Sequence, residues 1–188
     1  MPFVYDYEQI RGGLGAEFDL APRWAAGVEV EGLYTTRELD AGADGDLDQR
    51  LQRRHRQVTG ELRHRATEDL AFWGGVRYFR LTENDRRSGD GTREIERRER
   101  MAYVGTTWWF HARAAFAPGV FVNHVDNVER FPDDPGSTER HDGFYGKLTL
   151  PLRITVNANT GGTVTLNPTA RLHRAAFGGG NVQVNLPF

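Results

Sequence analysis

The sequence predicts an all-β fold, an antiparallel up-and-down barrel of about 8–10 strands. Apolar and polar residues alternate with period two over run after run, which places successive side chains on opposite faces of a strand. The runs are separated by segments with turn chemistry, and no window shows an amphipathic helix of useful length. No linker, composition shift or long-period repeat divides residues 1–188, so the chain reads as one domain, either a whole barrel or the C-terminal part of a larger one.

The first strand carries Ile10, Gly12, Leu14, Ala16, Phe18 and Leu20 on one face and Arg11, Glu17 and Asp19 on the other. Ala21-Pro22-Arg23 ends it, because proline fixes φ and removes a ladder donor. The second strand sets Trp24, Ala26, Val28, Val30, Gly32 and Tyr34 against Glu29 and Glu31. Residues 37–53 read as a long polar loop, in which LDQRLQRRHRQV has some helical character. The third strand, residues 54–66, opposes Val58, Gly60 and Leu62 to Thr59, Glu61, Arg63 and Arg65. After a turn at Thr67-Glu68-Asp69, the fourth sets Leu70, Phe72, Gly74, Val76 and Tyr78 against Trp73, Gly75, Arg77 and Phe79.

A second polar loop is expected over residues 83–97. The fifth strand, from Arg98 to about His111, shows Ala102, Val104, Thr106, Trp108 and Phe110 on one face. A short connection near Arg113 leads to a sixth strand, about Ala115–Val128, and a third polar loop covers residues 131–142. The seventh strand opposes Phe144, Gly146, Leu148, Leu150, Leu152 and Ile154 to Tyr145, Lys147, Thr149, Arg153 and Thr155. Asn159-Thr160-Gly161-Gly162 is hairpin-turn chemistry. The eighth strand alternates Val164, Leu166, Pro168, Ala170 and Leu172 with polar residues, Gly178-Gly179-Gly180 is read as a turn, and the ninth strand runs to Phe188. Nine is odd, and Phe3–Glu8 is the candidate for a tenth strand.

Composition narrows the class. With 24 Lys+Arg against 26 Asp+Glu, no net charge draws the chain to nucleic acid. The absence of Cys removes disulfides, thiolate metal sites and a cysteine nucleophile. The N-terminus MPFVYDYEQI lacks the basic and apolar regions of a signal peptide. A mean hydropathy of -0.60 excludes membrane-spanning helices. It leaves open a transmembrane barrel, whose alternating strands look soluble on average. Three observations favour that barrel over a soluble one. Strands of about ten residues suit a tilted crossing of the hydrocarbon core; short turns alternate with long charged loops; and the ending has the same alternation.

That ending, Val182-Gln183-Val184-Asn185-Leu186-Pro187-Phe188, resembles the C-terminal strand of bacterial outer-membrane β-barrel proteins. The resemblance rests on Val182, Val184, Leu186 and Phe188 at two-residue steps; Pro187 departs from the usual polar residue and removes a ladder donor. It implies an outer-membrane location in a Gram-negative bacterium. It also implies recognition of the terminal strand by the barrel-assembly machinery, and as partners the lipid bilayer, lipopolysaccharide and other envelope proteins.

On this reading Arg11, Glu17, Glu29, Glu31, Glu61, Arg63, Arg77 and Arg153 form a charge network in the lumen, either plugging it or lining a narrow passive pore. Trp24, Tyr34, Tyr78, Trp108, Trp109 and Phe110 form aromatic girdles at the headgroup level. Loop arginines, among them Arg86, Arg87, Arg97 and Arg98, are candidates for lipopolysaccharide phosphates or for pairing with their acidic neighbours. Six scattered histidines show no metal-ligand spacing, so no metal or cofactor is expected. No enzymatic activity is expected either: Ser137 with His141 and Asp142 is the one grouping that suggests acyl transfer, and it falls in a turn-rich loop. Two other classes stay open: a soluble calycin-like barrel holding a small apolar ligand against an inward apolar face, and an outer-membrane lipid-modifying enzyme.

Overall fold

The computed structural model describes residues 4–40, 49–87, 91–157, 161–174 and 176–185. They form one antiparallel sheet whose strands are β1 (Val4–Ala21), β2 (Trp24–Asp40), β3 (Gln49–Arg65), β4 (Leu70–Arg87), β5 (Gly91–His111) and β6 (Ala114–Phe116). They continue with β7 (Gly119–Arg130), β8 (Glu139–Thr149), β9 (Leu152–Asn157), β10 (Gly162–Arg171) and β11 (Ala176–Asn185). The eleven segments trace nine passes. Ala117-Pro118 interrupts the sixth pass into β6 and β7, and Leu150-Pro151 interrupts the seventh into β8 and β9. The register continues across both breaks: β6 and β7 both pair with β5, and they meet β9 and β8 in turn. Proline supplies no ladder N–H, so the backbone is patched by Ala117 N–H donating to the Pro151 carbonyl at 2.9 Å.

The path is a meander in which every pass pairs with the next, as alternation and short connections predict. Four expectations about boundaries need correction. The described residues of 37–53 and 83–97 are strand: β2 runs to Asp40, β3 starts at Gln49, β3 pairs with β4 from Gln49↔Arg87 inward, and β4 pairs with β5 from Arg87↔Gly91 inward. The helical reading of LDQRLQRRHRQV fails for the same reason. Residues 4–8 belong to β1 and are not a separate tenth strand. Gly178-Gly179-Gly180 lies within β11 beside a register shift, with Gly179 at φ +102; the chain turns earlier, near the one-turn 3-10 segment Leu172–Arg174.

The two faces of the sheet are sheltered unequally. In the middle of β5, Arg98, Arg100, Ala102 and Val104 are exposed, while Glu99, Met101 and Tyr103 are half-buried. β3, β4 and β7 repeat this alternation: Val58, Val76, Tyr78, Val120 and Val122 are exposed, and Thr59, Arg77, Phe79 and Phe121 are half-buried. Among the described residues Ala115 is the single buried hydrophobic side chain. Leu14 at 84%, Val76 at 63% and Val104 at 60% stand in the open. This inverts a soluble sheet, in which apolar side chains leave water and charged ones meet it. β1 is open on both faces, and among the described residues its outer edge carries no ladder; β11 pairs with β10 alone.

Candidate functional site

The sheltered face holds the charged residues of the strand middles. Arg63 Nε donates to Glu61 Oε1 at 2.5 Å, and its Nη1 reaches across β2 to Glu17 Oε1 at 3.4 Å. The Tyr103 hydroxyl crosses β4 to donate to Glu61 Oε2 at 3.0 Å. Contacts that skip a strand require side chains that converge, so this face is the inner side of the sheet's curve. Arg11 pairs with Glu31 at 2.7 Å. Of the eight predicted lumen residues, the geometry therefore joins Arg63, Glu61 and Glu17 in one group and Arg11 with Glu31 in another. Glu29, Arg77 and Arg153 share the face but make no ion pair among the described residues.

An aromatic wedge lies beside the first group. Trp73, Tyr103 and Phe121 contact one another with ring centroids 5.9, 6.1 and 5.7 Å apart. Cross-strand glycines make room for the rings, since Trp73 is paired with Gly105 and Tyr103 with Gly75. A methyl at Gly105 would lie 2.3 Å from the Trp73 ring, and one at Gly75 2.3 Å from the Gly60 carbonyl and 2.7 Å from the Tyr103 hydroxyl. The sequence reading missed this wedge. Its signal was aromatic residues at charged-face positions of strands that also carry glycine.

Toward the loop-side end, a second charge network occupies the same face. Asp85, 4% exposed, accepts from Gln49 Nε2 at 2.9 Å and from Arg87 Nη2 at 3.0 Å. Arg53 pairs with Glu83 at 2.6 Å, and Arg93 with Glu129. Burial alone would push the Asp85 carboxyl up; the hydrogen bonds from Gln49 and Arg87, with the charges of Arg87 and Arg93, outweigh it and hold it below the ordinary aspartate value.

The outward face carries the aromatic side chains at its turn end. Trp24 stacks on His64 at 4.2 Å and Trp108 contacts Phe110 at 5.6 Å. Trp109, next to Trp108 in an extended strand, lies among side chains of the sheltered face, including Trp73, Arg63 and Thr107. Tyr34 stands at the opposite end of the band under the Arg54 guanidinium, 5.6 Å from its ring centre, and Tyr78 is part-way along. On β2 the outward face is apolar from Trp24 to Tyr34, ten residue steps or about 33 Å of strand at ~3.3 Å each; on β4 it is apolar from Leu70 to Tyr78, eight steps or about 26 Å, before the outward row of Arg56, Arg80 and Arg98 begins. A tilt of roughly 45° makes these about 23 and 19 Å of height.

Val182 and Val184 of the terminal pattern are exposed and pair with Leu166 and Val164; Leu186 and Phe188 lie outside the described residues. Ser137, His141 and Asp142 are engaged separately. The Ser137 hydroxyl donates to Asp134, His141 sits 3.7 Å from Glu139, and Asp142 binds His124 at 2.7 Å.

No family model matches the chain, and no curated protein matches its sequence. Among solved structures, the ferric yersiniabactin uptake receptor FyuA from Yersinia pestis is similar in chain path, with 16% identity and a TM-score of 0.46. The match covers 85% of this chain and 27% of that one, so the chain spans about a quarter of the receptor's length, and nothing about what this chain binds follows from it.

Proposed function

We propose that this chain is an integral outer-membrane β-barrel protein, or the part of one, with a structural or narrow passive-pore role in the envelope of a Gram-negative bacterium. One observation carries the reading: between the turns and the outward arginine rows the exposed face is apolar, the other face carries Glu61, Arg63, Arg77 and the Trp73–Tyr103–Phe121 wedge, and among the described residues Ala115 is the single buried hydrophobic side chain. Exposed apolar area on this scale is stable when lipid covers it. The band, about 19–23 Å high from strand to strand, is close to the apolar belt of roughly 25 Å on such barrels. A calycin-like barrel needs the opposite arrangement, with Val76 and Val104 inside.

The sheltered face supports a constricted interior. The Trp73–Tyr103–Phe121 wedge and the Glu61–Arg63–Glu17 group fill space that a wide channel would leave to water. Paired charges there would satisfy one another once barrel closure took them out of bulk water. In lipid the free edges of β1 and β11 must also find partners, because unpaired N–H and C=O groups cost several kcal/mol each. Terminal-strand recognition by the assembly machinery and contact with lipopolysaccharide belong to the same proposal.

Electrophoresis of protein refolded into detergent, with and without boiling, tests it. A heat-modifiable shift, with aggregation when detergent is withdrawn, is expected; a monodisperse species in plain buffer would end the membrane reading. Single-channel recording then separates roles: a small, ohmic conductance marks a pore, and a silent bilayer marks a structural barrel.

A further inference from the structure

An apolar groove of about 900 Å³ runs across the outward face just below the arginine rows of β3, β4 and β5. Its floor follows one cross-strand row, Val28, Gly60, Val76, Ala102 and Val122. Gly60 and Ala102 are small, so the row is recessed between bulkier neighbours. The next row toward the loops is its rim: Val58, Tyr78, Arg100, His124 and Phe144. Above that come Arg56, Arg80 and Arg98, paired side by side across β3, β4 and β5.

The nearby acids are already occupied. Glu96 holds Arg98 at 2.7 Å and Arg80 at 2.8 Å, with Arg130 at 4.0 Å. Asp126 holds Arg140 at 3.1 Å, and Asp142 holds His124 at 2.7 Å. Among the described residues Arg56 and Arg100 make no ion pair. An unneutralised guanidinium thus stands at the head of an apolar groove, beside the Tyr78 ring. That pairing of surfaces complements an amphiphile with an anionic head.

We propose that the groove binds a membrane lipid whose phosphate headgroup is net anionic. One acyl chain lies over Gly60, Val76 and Ala102, and the phosphate accepts from Arg100, with Arg56 and the shared arginines of the next row extending the positive field. The inference rests on the outward face meeting lipid.

The test is electron paramagnetic resonance of spin-labelled phosphatidylglycerol and phosphatidylcholine around protein refolded into phosphatidylcholine bilayers. The motionally restricted fraction gives relative association constants. Phosphatidylglycerol is expected to bind about fivefold or more tightly than phosphatidylcholine, with most of the preference lost in Arg100→Gln and part in Arg56→Gln. Arg86→Gln, distant from the groove, should keep it. Ala102→Trp, which fills the floor, should weaken both lipids at this site while Arg100 remains. Equal association of the two lipids with folded protein would overturn the site and leave the membrane reading intact. Failure of the chain to fold in bilayers would remove both. Full competition by millimolar inorganic phosphate would also overturn it, by showing an ion site and no lipid site.

Discussion

At the residue scale, the sheltered face depends on glycine as much as on charge. Gly105 and Gly75 permit the Trp73 and Tyr103 rings to lie flat across neighbouring strands, and a methyl group at either would meet atoms far inside contact distance. Gly105→Ala or Gly75→Ala is therefore expected to cost about 1–3 kcal/mol through overpacking, seen as a lower unfolding midpoint in urea. Gly12→Ala, where a methyl group meets nothing within 4 Å, should be neutral or slightly stabilising. Asp85 gives a pH-dependent prediction. Its carboxyl is held below the ordinary value, so its stabilising effect is fully present above the unfolded pKa of about 3.9 and is lost as pH falls through the lower folded value. Asp85→Asn should weaken folding at neutral pH by about 1–3 kcal/mol, and the gap from the native chain should shrink in acid titrations below about pH 4.

At the element scale, alternation decides which substitutions matter. Val76, 63% exposed in the middle of the outward band, should tolerate no charge in lipid. Val76→Arg is expected to cost about 2–4 kcal/mol in folding equilibria measured in vesicles. Thr59→Arg, on the sheltered face of the adjacent strand, should cost less than half as much; equal costs would mean the faces are misassigned. The same alternation explains what the sequence disclosed. Strand order, face assignment and the nine passes were legible because residues such as Val28, Val30, Val58 and Val76 repeat every second position wherever one face is apolar. Strand ends were not legible. Past Tyr34 and Tyr78 both faces are largely polar, so cross-strand pairs such as Arg50–Glu38 at 2.8 Å and Arg53–Glu83 at 2.6 Å continue the ladder without any apolar signature. Charged composition there imitates a loop. The wedge was hidden for another reason: that Trp73 faces Gly105 is a fact of register, which no single strand contains.

At the scale of the whole molecule, nine antiparallel passes leave β1 and β11 pointing the same way. A direct seam between them would be parallel. Which face would meet lipid does not depend on how the sheet closes. The most direct measurement of that central claim is the accessibility of nitroxide labels placed one at a time along β5, from Met101 to Thr106, in phospholipid bilayers. Labels at positions 102, 104 and 106 should be relaxed by dissolved oxygen and shielded from a water-soluble nickel complex, while those at 101, 103 and 105 should be protected from oxygen. Uniform accessibility, or outward labels at 102 and 104 open to the nickel complex, would contradict it.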